Sequence, residues 1–470
     1  MTMPTVIDAA RSIRSGRLTS EALTLACIDA IERHNPTLNA FVYLDTESAL
    51  TAARSVDRAV RSGDVAGLGA LAGIPFGVKD LEHCAGMPTT RGSRWFLGTP
   101  PAAVDDIHVA RLRNAGAIPI GKTAAPEFGA WAYTASPALG VTRNPWNPRR
   151  TPGGSSGGSS AAVSAGLVPF CTASDGGGSI RTPAAFTGLV GLKPTYGRIP
   201  TFGATHLAQN AVVGSLATTV ADTAYLLDVM AGPDARDRTC LPPPNGSYVA
   251  AIDALDVRGV RAAWSLDLGF AVVEPEVAAL CESAARTLIA ATDARTADVV
   301  VELDDYIRTY ARMEGVDQFV NIDPDLWQNR LDELDPLIAP GWAKARTVTL
   351  PKSAAIEAAR RKLVHQMAAY FEHVDLLLTP MVAMPAFAAE GPMPTEVAGM
   401  PVHGGMSVIH GMLANLVNLP AISLPAGLTA AGLPVGLQVI GPRYREDLLL
   451  AVARRYELAR PWPRHAPLAD

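Results

Sequence analysis

Residues 151–160 read Thr-Pro-Gly-Gly-Ser-Ser-Gly-Gly-Ser-Ser, and residues 174–183 read Ser-Asp-Gly-Gly-Gly-Ser-Ile-Arg-Thr-Pro. The first of these glycine- and serine-rich loops is, taken alone, also typical of a flexible linker. Linkers are polar throughout, whereas Ala161–Val168 between the loops is an apolar segment of the kind that enters a protein core. Two such loops around an apolar segment therefore indicate a structured functional site rather than a linker.

The second loop surrounds one serine with backbone donors. Gly176, Gly177 and Gly178 lead directly into Ser179. Consecutive glycines adopt conformations closed to other residues, so that several N–H groups converge on one point. Such donors stabilise the negative charge that develops on a carbonyl oxygen when a nucleophile attacks it. The pattern therefore predicts a serine nucleophile for acyl transfer at Ser179.

A serine nucleophile needs a base, which is most often a histidine, and neither loop contains one. Lys79 lies near the end of the apolar, strand-like run Gly73–Leu81. Burial there would lower the pKa of the lysine toward neutrality, because the ammonium form loses its hydration. A neutral amine can accept a proton, so Lys79 is the candidate base. The alternative is an ordinary surface lysine at the end of a strand.

These motifs follow the order and spacing of a known family. The matching stretches are Gly77–Asp80, Gly153–Gly158, Asp175–Pro183 and Gly188–Gly197. The chain thus resembles the amidase signature family of serine hydrolases, and the resemblance covers the core of the sequence. It implies that Ser179 is the nucleophile, Ser155 the bridging serine and Lys79 the terminal base.

The resemblance also implies roles for neighbouring residues. The amides of Gly176, Gly177, Gly178 and Ser179 would form the oxyanion hole, with support from Ser156, Asp175 and Arg181. In relatives the bridging serine follows a cis peptide bond, here Gly154–Ser155. Many relatives carry threonine where this chain has Gly176, which keeps the amide donor and drops a hydroxyl.

A short aromatic segment follows the predicted strand over 117–120. In the family this segment lines the acyl pocket, which implies substrate contacts from Gly129, Phe128, Trp131 and Tyr133. Aromatic residues at this spacing are also typical of a protein core. Both interpretations stay open at the sequence level.

The resemblance implies an α/β fold, a single α/β/α domain with a central mixed β-sheet covered by helices on both faces. That domain would span residues 1–470, with an N-terminal helical segment over 1–60, a catalytic core over 70–200 and a variable substrate-side region over 255–370. Local patterns predict helices over 19–35, 47–59, 106–113, 220–230 and 352–370. They predict strands over 74–81, 117–120, 257–263, 297–302 and 375–380, and a hairpin over 419–440.

One motif matches a nucleotide-binding pattern letter for letter. Gly116–Thr123 satisfies G-x-x-x-x-G-K-[ST], the phosphate-binding loop. Such a loop must follow an apolar strand and open a helix. Here the preceding residues have a helical pattern, the middle of the motif is strand-like, and Pro126 follows within one turn. The context argues against a nucleotide site.

A second motif offers a different mechanism. Gly153–Gly157 matches G-x-S-x-G, the nucleophile elbow of α/β-hydrolases, which would make Ser155 the nucleophile with His403 or His410 as base. That elbow follows a strand, whereas residues 144–152 contain three prolines. The two histidines have no carboxylate or cysteine neighbours in sequence, so we interpret them as pocket or packing residues rather than metal ligands.

Composition excludes several classes of protein. The net charge of −5 comes without a basic tract, which argues against nucleic acid as a partner. No apolar stretch approaches 18 residues, so no membrane span is expected. The sequence shows no signal-peptide pattern, and its five scattered cysteines are typical of reduced residues, so a cytoplasmic protein is predicted.

The predicted function is hydrolysis of the C–N bond of a small-molecule amide through a Ser-cisSer-Lys triad and an acyl-enzyme, without metal or organic cofactor. The apolar residues of 381–412 favour a medium-sized or aromatic acyl group. Relatives are often homodimers, which the resemblance extends to this chain. Two alternatives remain beside the elbow mechanism, namely a glutaminase component of a glutamyl-tRNA amidotransferase and a non-enzymatic binding module.

Overall fold

The structure is a computed structural model that describes residues 2–201, 209–317 and 322–468. The helices are α1 Val6–Arg14, α2 Ser20–Leu38, α3 Thr46–Ser62, α4 Ile107–Asn114, α5 Gly157–Ser164, α6 Arg181–Thr187, α7 Val220–Met230, α8 Tyr248–Ala254, α9 Pro275–Thr292, α10 Ile307–Asp317, α11 Pro324–Asn329, α12 Ala339–Ala345, α13 Leu350–His373, α14 Ile409–Leu416 and α15 Glu446–Ala459. The strands are β1 Phe41–Leu44, β2 Pro75–Lys79, β3 Ile118–Thr123, β4 Ala135–Ser136, β5 Gly140–Val141, β6 Phe170–Asp175, β7 Val190–Lys193, β8 Val212–Ala217, β9 Arg261–Trp264, β10 Arg295–Thr296, β11 Leu376–Pro380, β12 Glu396–Val397, β13 Met400–Pro401, β14 Ala421–Leu428 and β15 Pro434–Ile440.

A mixed sheet runs through the centre of the molecule. In the described part of the chain it has eleven strands in the order β1-β3-β2-β6-β8-β7-β14-β15-β11-β9-β10. The strands β3, β2 and β6 are parallel neighbours, as are β11, β9 and β10. The strands between these two groups pair antiparallel. This arrangement confirms the predicted α/β fold with a mixed sheet.

The sheet is buried on both faces. Along β11, Leu376 and Leu378 pack in one apolar cluster, and Leu377 between them packs in another. Successive side chains of a strand point to opposite faces, so the two clusters lie on opposite sides of the sheet. Helices α9 and α15 contribute to the first cluster, and α13 and α14 contribute to the second. The expected covering of both faces by helices is therefore confirmed.

The strand order brings the two predicted catalytic stretches together. Strands β2 and β6 pair in parallel, with Gly77 opposite Cys171. The carboxyl ends of parallel neighbours meet at one edge of a sheet. Lys79 ends β2 and Asp175 ends β6, so the lysine lies next to the loop that carries Ser179. Residues far apart in sequence thus converge because of the sheet topology.

Most of the predicted elements are present, and two predictions were wrong. Helix α7 has the predicted bounds, and α13 and the β14–β15 hairpin lie where the patterns placed them. The predicted end of α2 at Pro36 was wrong, because Asn39 in a left-handed conformation closes the helix with a hydrogen bond to the Asn35 carbonyl oxygen. A strand over 297–302 was also wrong, because β10 at the sheet edge ends at Thr296.

Among the described residues, no helix combines the length and the apolar composition needed to cross a membrane. All five cysteines are free thiols, and four of them are buried.

Candidate active site

The Lys79 amine is enclosed by serine side chains. Its Nζ lies 2.9 Å from Ser155 Oγ, 2.8 Å from Ser156 Oγ and 2.9 Å from Ser174 Oγ. The side chain is fully buried at the end of β2. The lysine is therefore held in place by hydroxyl groups, without a direct carboxylate partner among the residues that the structure describes.

Burial controls the protonation state of this lysine. Loss of hydration lowers the pKa of Lys79 from 10.5 to about 7, and the more distant Glu82 and Asp175 carboxylates oppose the shift only in part. An amine with a pKa near 7 exchanges its proton readily at neutral pH. In its neutral form it has a lone pair that accepts a hydrogen bond from one of the surrounding hydroxyls. The site thus provides a buried base next to Ser155.

Ser155 and Ser179 belong to adjoining loops. The Gly154–Ser155 peptide bond is cis, as the resemblance implied. The Ser156 amide donates to the Ser179 carbonyl oxygen at 3.3 Å, which ties the two loops together. Ser179 is half-buried and lines a cavity of about 190 Å³. Within the described ranges no hydrogen bond engages its hydroxyl, so the group is free to face a ligand.

The glycine loop offers fewer free donors than the sequence predicted. The Gly178 amide donates to Asp175 Oδ1 at 2.7 Å, so this donor is occupied. No hydrogen bond within the described part of the chain uses the amides of Gly176, Gly177 or Ser179. These three N–H groups are the candidates for an oxyanion hole. The sequence did not indicate that the Asp175 carboxylate would occupy the amide of Gly178.

Asp175 organises this loop through an ion pair with Arg181. The carboxylate accepts from the Ile180 amide at 3.0 Å and from Arg181 Nη2 at 2.9 Å. Burial alone would raise the pKa of Asp175, but the Arg181 charge and the hydrogen bonds hold that pKa at about 2. The aspartate is therefore ionised and fixes the backbone on both sides of Ser179.

Two further side chains, which the sequence did not indicate, hold Arg181 and Asp175 in place. Asn415 on α14 accepts from Arg181 Nη2 at 2.6 Å and donates to the Asp175 carbonyl oxygen at 2.8 Å. Gln438 on β15 accepts a hydrogen bond from Arg181 Nη1. Both lie more than two hundred residues along the chain from the loop. Local sequence patterns carry no signal for contacts of this range.

The Asn415 contacts make a testable prediction. In Asn415→Ala, two buried carbonyl oxygens and the Arg181 guanidinium each lose a partner. We expect the free energy of unfolding to fall by about 1–3 kcal/mol, and kcat to fall because the loop loosens. Urea unfolding and steady-state kinetics measure both effects. The control is Asn329→Ala, which removes a single exposed hydrogen bond, and equal stability of the two variants would contradict the prediction.

The cavity above Ser179 is mainly apolar, and its described lining contains no Asp, Glu, Lys or Arg. Large side chains in its wall include Trp131, Ile307, Met393, Val408 and Met412. Met393 and His403 come from the segment that the sequence associated with the acyl group. Gly129 also lines the cavity, and a Cβ atom placed there would lie 3.2 Å from Ser155 Oγ.

The predicted aromatic contacts divide into two groups. Trp131 lines the cavity. The ring of Phe128 instead packs 5.1 Å from Trp342 and 5.6 Å from Trp95 in a separate cluster. The ring of Tyr133 packs between Trp131 and Phe387 and does not line the cavity. The structure thus places two of the three aromatic residues in packing roles.

Neither candidate histidine forms a hydrogen bond with Ser155 or Ser179 in the described structure. His410 is fully buried and its Nε2 lies 2.9 Å from the Leu266 carbonyl oxygen. Burial lowers the pKa of His410 to about 4, so it remains neutral. His403 accepts from the Gly405 amide and lines the cavity. No strand immediately precedes Ser155, so the geometry of a nucleophile elbow is missing there.

The phosphate-loop motif forms a strand rather than a loop. Its residues 118–123 are β3, and Lys122 is buried. The Lys122 amine donates to the Glu82 carbonyl oxygen and to Thr89 Oγ1, and lies 3.7 Å from Asp80. All its donors point into the protein, which leaves no cradle for a phosphate. Across residues 2–201, 209–317 and 322–468, no cluster of His, Cys, Asp and Glu could hold a metal ion.

Known proteins share this architecture. The structure is similar to that of a bacterial aryl acylamidase of the amidase signature family, with a TM-score of 0.90 and 27% identity over 98% of this chain and 97% of the other. In sequence the chain is 36% identical to an acylamidase of Rhodococcus erythropolis, over 98% of this chain and 96% of the relative. It is 35% identical to a glutamyl-tRNA(Gln) amidotransferase subunit from Chloroflexus aggregans, over 98% of each. The class of protein is thus an amide-hydrolysing enzyme.

The family follows from the sequence model described as Amidase, which matches residues 22–450. The chain belongs to the amidase signature family, as its motifs indicated.

Proposed function

We propose that this protein is an amidase that cleaves its substrate through Ser179, Ser155 and Lys79. The observation that carries the proposal is the buried Lys79 amine, 2.9 Å from Ser155 Oγ and lacking a direct carboxylate partner in the described chain. A structural lysine in a protein core is normally paired with a carboxylate. A lysine surrounded by hydroxyls, with a pKa of about 7 as a result of burial, is suited to accept a proton.

The reaction begins with two proton transfers. Neutral Lys79 takes a proton from Ser155, and Ser155 takes one from Ser179 as the latter attacks the amide carbonyl carbon. A hydroxyl can perform this relay because it donates and accepts at the same time. The lysine therefore acts on the nucleophile through the bridging serine.

The second half of the reaction regenerates the enzyme. The carbonyl oxygen becomes an oxyanion, which the free amides of Gly176, Gly177 and Ser179 stabilise. The C–N bond breaks when Ser155 returns a proton to the leaving amine, and the acyl group stays on Ser179. Water, deprotonated by the same relay, then attacks the ester and releases the carboxylate.

The cavity favours a substrate that carries an uncharged, apolar group next to the scissile bond. Its described lining contains tryptophan, isoleucine, valine and methionine side chains but no Asp, Glu, Lys or Arg. A free glutamine carries an ammonium close to its amide, and the described lining offers no carboxylate to pair with that ammonium. This lining favours amide hydrolysis by the chain itself over the glutaminase role within an amidotransferase.

The proposal is tested with a fluorophosphonate probe and intact-protein mass spectrometry, together with turnover of simple acyl anilides by the purified chain. We expect one probe per chain, mapped to the peptide that contains Ser179, and release of aniline without any added protein. Label on Ser155 at the normal rate in Ser179→Ala would favour the elbow mechanism. Labelling of Ser179 without anilide turnover, restored by the other amidotransferase components and tRNA, would favour the glutaminase role.

A further inference from the structure

A second cavity adjoins the first at α10. It has a volume of about 390 Å³ and lies between α10, α12 and the first turns of α13. Ala311 lines both cavities. Because alanine carries only a methyl group, the partition at this position is thin. A ligand bound above Ser179 therefore lies next to the second cavity.

The second cavity differs from the first in its charge. Arg312, Lys344 and Lys352 line it, and its described lining contains no Asp or Glu. No hydrogen bond or ion pair among the described residues engages these three charged groups. Lys362, a nearby exposed lysine of α13, is by contrast paired with Asp304 at 2.6 Å. In a chain with a net charge of −5, this group of unpaired cations creates a local positive potential.

Three unpaired cations around one cavity fit an anion. The adjoining cavity is apolar and leads to Ser179. Together the two cavities match a molecule with an apolar segment near the scissile bond and a negative charge at a distance from it.

We propose that this second cavity binds a carboxylate at the remote end of an elongated amide substrate. The inference rests on the proposed amidase function and extends it to a substrate class. The carboxylate belongs either to the acyl part or to the amine part of the substrate, and both parts offer the same chemistry to Arg312, Lys344 and Lys352. Short neutral amides react without using the second cavity.

The experiment compares kcat/KM for matched substrates of graded chain length. One set consists of alkanoyl p-nitroanilides and their ω-carboxy analogues, and the other of alkanoyl amides of alkylamines and of ω-amino acids. We expect one of the two sets to show a preference for the carboxylate once the chain is long enough to reach the second cavity. In that set kcat/KM should be roughly three- to tenfold higher for the carboxylate than for its neutral analogue, the range for one to three partly solvated ion pairs. Added salt should reduce this preference. The set that shows the preference identifies whether the acyl part or the amine part of the substrate carries the carboxylate.

The variants are Arg312→Ala, Lys344→Ala, Lys352→Ala and the triple substitution. We expect the triple variant to lose the carboxylate preference and to keep the wild-type kcat/KM for short neutral substrates. Lys362→Ala, which removes a paired lysine of α13 outside the cavity, should keep the preference. A wild type without any preference, or a triple variant that retains it, would overturn the inference while leaving the amidase proposal intact. Absence of hydrolysis for every substrate would overturn both.

Discussion

Replacement of Ser179 by alanine is expected to lower kcat for amide hydrolysis by about four to six orders of magnitude, the usual effect of removing a serine nucleophile. The fold should be unaffected, because no described hydrogen bond depends on the Ser179 hydroxyl. We therefore expect an unchanged thermal midpoint and little change in substrate affinity. Ser155→Ala should lower kcat by about two to four orders of magnitude, since it removes the relay and leaves the nucleophile.

A matched control separates catalysis from packing. Ser164 on α5 is buried, and its hydroxyl donates to the Thr187 carbonyl oxygen at 2.8 Å. Ser164→Ala should lower the free energy of unfolding by about 1 kcal/mol and keep its activity. Steady-state kinetics and thermal unfolding of all three variants test the assignment. Activity of Ser179→Ala within tenfold of the wild type would show that another group attacks the substrate.

The sequence predicts the site best where the chemistry is local. The glycine run before Ser179 and the apolar run that ends at Lys79 both carry their signal within a few residues. Their convergence follows from the parallel pairing of β2 and β6, and no strand over 170–175 was predicted from the sequence. Periodicity alone does not specify which strands are neighbours.

The sequence does not predict contacts between distant residues, and it does not show which backbone donors are already occupied. Asn415 and Gln438 meet Arg181 only because α14 and β15 pack against the loop that carries Ser179. The capture of the Gly178 amide by Asp175 depends on a turn geometry that a run of glycines does not fix. In the same way, Phe128 and Tyr133 are apolar enough for either a pocket or a core. Tertiary packing decides between the two.

The second large effect concerns Lys79. We expect Lys79→Met to lower kcat/KM by about two to four orders of magnitude, because the relay loses its terminal base. In the wild type, kcat/KM should rise about tenfold per pH unit at acidic pH and level off above about pH 7, the pKa that burial gives this lysine. The sign follows from the chemistry, because below that pH the group is an ammonium with no lone pair to accept a proton. In Lys79→Met this rise should be absent.

The control for this experiment is a second buried lysine. Lys193 on β7 is also fully buried, and burial lowers its pKa to about 7, but its Nζ donates to the Pro194 carbonyl oxygen rather than to a serine. Lys193→Met should therefore keep the rise in kcat/KM near pH 7. If the rise vanished in Lys193→Met and persisted in Lys79→Met, the titrating base would be misassigned. The comparison thus tests whether contact with the Ser155 hydroxyl, and not burial alone, makes a lysine catalytic.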